Sequence, residues 1–356
     1  MKASVSLQTG SCLFFMDKND FKEIKELGFS SLIDRFKQFS GAEREEIKKG
    51  IDDDAAVFRN EKDRFSTISS ELFLEGIHFD VTYTPLQHLG SKIVTAAVSD
   101  IYAMNSIPQQ LLINIAIPNK YSVQMVEALY EGLNAAAKDY NLQISGGDTT
   151  ASHQLLTISV TATGTADEGQ LIYRNNAKTG DAICVTGDLG SAIAGLRILM
   201  REKKEWQQKE GSHFQPELEP YEYVVQRQLV PKARKDFIDL LQHLDFKPTS
   251  MIDISKGLVA ELKEIGKQSG LGIEIYSPAV PIALETRQVA DEMKEDVDKY
   301  AFYGGEDFEM LFTIPEPLVE KLMAEFEDFT VIGKMTDRQG KLKVETGEEQ
   351  SYEFDI

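Results

Sequence analysis

The chain has 356 residues, of which 42% are hydrophobic, so it is long enough for two domains with cores of ordinary size. Its 58 acidic and 38 basic residues give a net charge of −20, which argues against nucleic acid as a partner, because a phosphate backbone requires a basic surface. Cys12 and Cys184 show no zinc spacing and no disulfide framework, and no apolar run could span a bilayer, so we expect a cytoplasmic protein without a membrane partner.

Strand-like runs alternate with helical patterns in the first half of the chain. Apolar residues at helical spacing predict a helix over residues 90–101, with Asp100 on its flank, and a second helix over residues 123–136. Strands are predicted over residues 65–69, 111–117, 142–145 and 155–163. The strand that begins at residue 142 is expected to end in a turn at Gly146-Gly147-Asp148.

The second half repeats this alternation. Strands are predicted over residues 182–186, 251–254 and 309–313, with helices over 191–200 and from Gly257 onward. Gly187-Asp188-Leu189-Gly190, between a strand and a helix, resembles a phosphate cradle but lacks the Lys-Ser/Thr ending of a Walker loop. The polar segment 164–169 is the expected domain boundary. We therefore predict a flexible extension over residues 1–20 and two α/β domains with mixed sheets, over residues 21–166 and 167–356.

Carboxylates beside glycine or hydroxyl residues recur at wide intervals. They are Asp53-Asp54, Ser99-Asp100, Gly146-Gly147-Asp148-Thr149-Thr150, Asp253-Ile254-Ser255 and Gly304-Gly305-Glu306-Asp307. Hard carboxylate oxygens suit Mg²⁺, and glycines allow phosphate oxygens to approach backbone N–H groups. One such cluster would be an ordinary turn. Five clusters predict one assembled site for metal ions and polyphosphate.

These motifs, in their order along the chain, resemble the thiamine-monophosphate kinase family. The match comprises Gly50-Ile51-Asp52-Asp53-Asp54-Ala55-Ala56-Val57, Glu75-Gly76-Ile77-His78-Phe79, Ser99-Asp100-Ile101-Tyr102-Ala103-Met104, Gly147-Asp148-Thr149-Thr150, Arg174-Asn175-Asn176-Ala177-Lys178, Ile252-Asp253-Ile254-Ser255 and Gly304-Gly305-Glu306-Asp307. It covers roughly residues 28 to 335. The resemblance implies the fold of aminoimidazole ribonucleotide synthetase. In that fold an N-terminal ATP- and metal-binding domain pairs its sheet with a second subunit's in a barrel-like homodimer core, and a C-terminal α/β domain follows.

The resemblance also implies a role for individual residues. The implied metal ligands are Asp54, Ser69, Ser70, Glu71, Asp100, Asp148 and Asp253. The implied ATP contacts are Tyr130, Gly147, Asp148, Arg174 and Ser255, and the implied thiamine-phosphate contacts are His78 and Glu306. Without the resemblance, ordinary structural roles remain open. Asp54 and Glu306 could be turn residues, Asp100 could lie on a helix flank, and Asp148 could be a cap. Tyr130 could be a core residue, Arg174 could form a surface ion pair, and His78 could be a structural histidine.

The implied reaction passes the γ-phosphoryl group of ATP to the phosphate of thiamine monophosphate, with several Mg²⁺ ions as cofactors. The acceptor oxygen is already anionic, so no residue is expected to act as a general acid, general base or nucleophile. Catalysis would depend on in-line placement and on neutralising two polyphosphates that repel each other.

Four departures from the family pattern leave alternatives open. Lys256 stands where the family has a metal-binding carboxylate, Glu71 replaces an aspartate, and Asp52 replaces a glycine. The aromatic C-terminal tail that stacks on thiamine is not recognisable, and Tyr352 or Phe354 is the candidate replacement. The alternatives are a catalytically weakened paralogue that binds nucleotide or thiamine phosphate, and another ATP-using enzyme of the same superfamily.

Overall fold

The computed structural model describes residues 29–39, 44–51, 53–60, 64–167, 169–208, 214–347 and 350–356. The expected extension over residues 1–20, together with Cys12 and Asp52, lies outside these residues. The chain divides into two compact units, residues 1–45 and residues 46–356. In its described part the first unit holds one helix, α1 (Phe29–Lys37), in which Lys37 pairs with Asp34 at 2.7 Å.

The second unit begins with a six-stranded sheet and two long helices. These elements are β1 (Ile47–Lys49), β2 (Ala56–Arg59), β3 (Arg64–Leu74), α2 (Leu86–Ala103), β4 (Ile107–Pro118), α3 (Val123–Asp139), β5 (Gln143–Ser152) and β6 (Thr157–Asp167). The strand order is β1-β2-β3-β6-β4-β5, and only the β4–β5 pair is parallel. The two helices lie against each other so closely that a Cβ at Gly132 would sit 1.8 Å from the Gln87 carbonyl oxygen.

Alternation along the strands gives this sheet two different faces. In β3, Phe65, Thr67, Ser69 and Phe73 are buried, whereas Leu72 on the other face is 57% exposed. The strand β6 alternates in the same way, with Ile158, Val160 and Ala162 buried. One face is therefore covered within the chain, and the other, which we call the outer face, is not.

A seven-stranded sheet and its helices form the rest of the unit. The elements are β7 (Asp181–Thr186), α4 (Ser191–Gln207), α5 (Glu222–Leu229), α6 (Lys235–Leu241), β8 (Ser250–Asp253), α7 (Leu258–Ser269), β9 (Gly272–Tyr276), α8 (Leu284–Met293), α9 (Val297–Tyr303), β10 (Met310–Pro315), α10 (Val319–Met323), β11 (Phe329–Thr336), β12 (Lys341–Glu345) and β13 (Ser351–Asp355). The strand order is β13-β12-β9-β11-β7-β10-β8, which places β8 at one edge and β13 at the other.

The predicted fold class is confirmed, because both sheets are mixed and carry helices. Neither sheet closes on itself, and the barrel-like dimer remains a prediction, as do the domain limits. The turn expected at residues 146–148 was wrong, since β5 continues through these residues and pairs with β4 on both sides of a register shift at Ser145. Likewise β6 continues to Asp167, past the start of the expected boundary segment. In the described part of the chain, no helix is both long enough and apolar enough to cross a bilayer.

Candidate metal and phosphate site

Three aspartates from separate elements meet in the interior of the second unit. Asp54 precedes β2, Asp100 lies on α2 and Asp253 ends β8. One carboxylate oxygen from each lies within 4.8 Å of the others, and the three residues are 8%, 8% and 2% exposed. The sequence prediction that these three motifs converge agrees with this geometry, although the metal-binding role itself stays a prediction.

The ionised forms of Asp100 and Asp253 are disfavoured in this triad. Burial, together with the neighbouring carboxylates, raises the pKa of Asp100 well above its usual range. Burial and the charge of Asp54 raise the pKa of Asp253 to about 8. Carboxyl groups that resist ionisation for these reasons are stabilised as anions when a cation lies among them. The donor set consists of hard oxygens, which fits Mg²⁺.

Arg174 supplies positive charge to the triad. Its Nε donates to Asp54 Oδ2 at 3.1 Å, and its Nη2 donates to Asp54 Oδ1. Asp53, whose pKa burial raises to about 6, lies 3.8 Å from the same guanidinium and 3.4 Å from Lys49 Nζ. The surface ion pair considered for Arg174 is therefore wrong, because its partner Asp54 is a buried member of the triad and the Arg174 side chain is only 13% exposed.

The implied ligands on β3 divide between the two faces of the sheet. Ser69 donates its hydroxyl to Asp100, and Glu71, whose pKa is raised by burial, shares a hydrogen bond with the same carboxyl group. The Ser70 hydroxyl donates instead to the Val160 carbonyl oxygen at 3.3 Å, on the outer face. The structure thus brings Ser69 and Glu71 to the triad but not Ser70.

Two loops close one side of the triad. Gly305 would clash with the Ser255 carbonyl oxygen if it carried a Cβ, which would lie 2.5 Å away, and the Glu306 N–H donates to that oxygen at 2.9 Å. These contacts hold Ser255, Lys256 and Glu306 side by side. The Lys256 side chain is exposed, and its backbone N–H donates to Glu261 Oε1 at 2.9 Å.

Glu261 is a residue that the sequence reasoning missed. It is 2% exposed, and burial raises its pKa to about 7 even though Lys256 and Arg174 oppose the shift. The available signal was an acidic residue in the first turn of a helix that starts just after the candidate ligand Asp253. Its observed contact is to backbone, so it fixes the loop that follows Asp253.

Lys92 is a second residue that the sequence reasoning missed. It lies on α2, is 3% exposed, and its Nζ donates to Glu306 Oε2 at 2.7 Å and to the Gln228 carbonyl oxygen at 3.0 Å. A lysine directly before the apolar pair Ile93-Val94 of this helix was the signal. His78, the other implied substrate contact, is exposed at the turn after β3, where its Nδ1 accepts from the Leu74 N–H at 3.0 Å.

Asp148 lies away from the triad within one chain. Its register partners across the sheet are Asn114, Ser159 and Leu72, which places it on the outer face and about 14 Å, or three strand spacings, from β3. Its strand, β5, is an exposed edge.

Gly147 and Tyr130, two further implied ATP contacts, also have structural reasons for their identity. Gly147 has φ +146°, and a Cβ there would lie 1.7 Å from the Ile113 carbonyl oxygen. Tyr130 is half-buried and packs against the core, as the alternative reading of its helix expects.

The expected phosphate cradle at residues 187–190 is already occupied by a side chain. The buried Asp307 carboxylate accepts from the Gly190 N–H at 2.9 Å and from the Ala192 N–H at 3.3 Å. A carboxylate therefore satisfies the helix N-terminus that in sequence resembles a phosphate cradle. The cradle interpretation is wrong, because the N–H groups that would bind phosphate are bonded to Asp307 and so hold the loop that contains Glu306.

Tyr352 and Phe354 lie on β13, at the opposite edge of the sheet from Asp253. Six strand spacings, about 28 Å, separate β13 from β8. Phe354 packs against the core beneath its own strand, and Tyr352 is 54% exposed. The fold of one chain gives no support to either residue as the aromatic that stacks on thiamine.

Comparisons with known proteins match both halves of the chain. The family described as AIR synthase related protein, N-terminal domain, matches residues 52–166, and AIR synthase related protein, C-terminal domain, matches residues 178–345. The thiamine-monophosphate kinase of Bacillus subtilis is 33% identical over 279 residues, which are 78% of this chain and 81% of that protein. The thiamine-monophosphate kinase of Aquifex aeolicus is 32% identical over 318 residues, or 89% and 94% of the two chains.

The chain belongs to the thiamine-monophosphate kinase family. Among solved structures, AaThiL complexed with AMPPCP and TMP has a TM-score of 0.78 and 28% identity, over 94% of this chain and 99% of that one. Within this thiamine-monophosphate kinase fold, the departures at Glu71 and Lys256 lie beside the triad. Burial raises the pKa of Glu71 although the charges of Lys256 and His78 oppose the shift, so these three residues share one electrostatic environment.

Proposed function

We propose that this protein transfers the γ-phosphoryl group of ATP to thiamine monophosphate, producing thiamine diphosphate and ADP. The observation that carries the proposal is the buried triad of Asp54, Asp100 and Asp253, in a chain that belongs to this kinase family. The relative solved with AMPPCP, an ATP analogue, and TMP supports both substrates.

The residues present fit magnesium as the cofactor. Asp54, Asp100 and Asp253 would hold it, and the raised pKa values of Asp100 and Asp253 reflect burial and, after it, the repulsion between carboxylates that a cation relieves. Bound magnesium would neutralise phosphate charge and orient phosphoryl oxygens. Ser99 fixes one ligand, because its hydroxyl donates to Asp253 Oδ2 at 2.7 Å.

The other contribution of the chain is to position the two substrates for phosphoryl transfer. Arg174 offers a planar fork of donors beside the triad, suited to phosphate oxygens once it is released from Asp54. The acceptor is a phosphate oxygen that is anionic at neutral pH, so no residue has to remove a proton. The acceptor oxygen bonds to the γ-phosphorus as the bond from that phosphorus to the bridging oxygen breaks, and ADP leaves.

We also propose a homodimer formed through the outer face of the first sheet. Ile68, Leu72 and Leu112 are 36%, 57% and 40% exposed on that face, an apolar surface that a second copy would cover. Asp148 is on the same face, so a dimer would bring it towards a partner subunit's residues. We place the dimer in the cytoplasm, where ATP is available.

The dimer is tested by mass in solution. Leu72→Glu should produce a monomer in light scattering at micromolar concentration, whereas Val123→Glu, a matched change at an exposed helix position, should not. A monomeric unmodified protein would refute the interface. In the dimer, Asp148→Ala should abolish Mg²⁺-dependent nucleotide binding.

The activity is tested by incubating the purified protein with Mg-ATP and thiamine monophosphate and measuring thiamine diphosphate and ADP. Equal amounts of both products are expected, with loss of both in Asp100→Asn. Nucleotide binding without product would instead establish the catalytically weakened paralogue.

A further inference from the structure

Lys92 is a buried cation whose partners are tightly specified. It is 3% exposed on α2, and its Nζ donates to Glu306 Oε2 at 2.7 Å and to the Gln228 carbonyl oxygen at 3.0 Å. An ammonium buried without partners is strongly disfavoured, so this position requires the carboxylate that it contacts.

Glu306 is held at both its backbone and its side chain. Its φ is +65°, its N–H donates to the Ser255 carbonyl oxygen at 2.9 Å, and Oε2 accepts from Lys92. Among the described residues no hydrogen-bond donor contacts the other oxygen, Oε1, and 29% of the side chain is exposed. One oxygen of the carboxylate is therefore fixed and the other remains available to a ligand.

A single helix links this carboxylate to the triad. Lys92, Ser99 and Asp100 all lie on α2, which is buried continuously from residue 92 to residue 103. Eight residues separate Lys92 from Asp100, which is about 12 Å along a helix axis. Because the buried helix cannot shift without disturbing the core, it sets the separation between Glu306 and the metal-binding carboxylates.

We propose that Lys92 is a positioning residue that holds Glu306 for the thiamine rings of the substrate, while the triad serves the phosphate end. The inference rests on the proposed function. Thiamine monophosphate carries a positive thiazolium ring and, on a separate pyrimidine ring, an exocyclic amino group, and the free Oε1 of Glu306 can accept from or pair with either group. Lys92 keeps that oxygen in place by engaging the other one.

The test measures substrate binding separately from chemistry. For Lys92→Met we expect the KM for thiamine monophosphate to rise at least tenfold, with kcat within about threefold and the Kd for Mg-AMPPCP unchanged. The Kd for thiamine monophosphate in the presence of Mg-AMPPCP should rise as much as KM. Lys203→Met is the matched control, because Lys203 also joins the two halves of the unit through a carboxylate, Asp80, but not through Glu306.

A double variant decides whether Lys92 acts through Glu306. Lys92→Met/Glu306→Gln removes both charges, leaves no buried charge unpaired, and so remains informative if Lys92→Met alone does not fold. Its Kd for thiamine monophosphate should equal that of Glu306→Gln. A double variant that binds tenfold more weakly than Glu306→Gln overturns the proposal, as does a fall in kcat at constant KM in Lys92→Met.

The same data separate this proposal from the proposed function. A wild-type protein that binds thiamine monophosphate without transferring phosphate refutes the activity, and the Kd comparison still decides the role of Lys92. Normal turnover together with an unchanged KM in Lys92→Met refutes only the role of Lys92.

Discussion

Removing one carboxylate of the triad should stabilise the metal-free protein. The ligand oxygens of Asp54, Asp100 and Asp253 lie within 4.8 Å of one another, and at an effective dielectric of 20 two full charges at that distance repel by about 3.5 kcal/mol. Asp253 is only partly ionised near pH 8, because its pKa is raised to about 8. We therefore expect Asp253→Asn to raise the free energy of unfolding by about 1–3 kcal/mol at that pH.

The sign of the pH dependence follows from the direction of the shift. The pKa of Asp253 is raised from 3.8 in the unfolded chain to about 8 in the fold, so the folded protein binds the extra proton between these values. The free energy of unfolding therefore falls as pH rises from about 4 to about 8. Asp253→Asn should flatten this dependence, because the amide does not titrate.

Thermal unfolding in excess chelator measures the effect. The Tm of Asp253→Asn should exceed that of the unmodified protein by roughly 2–6 °C at pH 8 and by less at pH 5.5. Added Mg²⁺ should raise the Tm of the unmodified protein and raise that of the variant less. Glu131→Gln, an exposed carboxylate-to-amide change on α3, is the control. A lower Tm for Asp253→Asn in chelator, or an undiminished response to Mg²⁺, would refute the electrostatic reasoning.

Three further predictions concern single positions. Lys256→Ala should lower turnover about tenfold under saturating Mg²⁺, because the ammonium contributes positive charge where the family has a metal ligand. Higher turnover in Lys256→Asp would show instead that the loss of the family's carboxylate ligand lowers activity. Gly147→Ala should destabilise the fold by about 3 kcal/mol or more in urea titrations, because its Cβ would overlap the Ile113 carbonyl oxygen. Gly146→Ala is the control and should be tolerated, because the nearest contact of its Cβ would be a side chain at 3.6 Å. Arg174→Met should cost about 3–5 kcal/mol in the same titration, since it leaves a buried carboxylate unpaired, and Arg174→Lys should cost less; equal losses would count against the ion pair.

The alternation of apolar strand-like runs with helical periodicity was sufficient to predict the fold class and the position of several central elements. The helix expected over residues 90–101 is α2, and the strand expected over residues 65–69 is the start of β3. A turn was wrongly predicted at Gly146-Gly147-Asp148 because glycine pairs are typical of turns. In the fold, the absence of a side chain at Gly147 instead lets β5 approach β4 closely. Propensity is local, and strand pairing overrode it.

The sequence by itself supplied the candidate ligands and the glycines, because the identity of an oxygen ligand or a glycine is a property of the residue. Only the tertiary structure decided which of them meet. Asp54, Asp100 and Asp253 meet across 199 positions of chain, Asp148 lies on the other face of the sheet, and the cradle before α4 is filled by Asp307. Strand order and the alternation of side chains between two faces set these outcomes, and both depend on pairings between distant segments. For the same reason the burial of Lys92 against Glu306 could not be read from either segment alone.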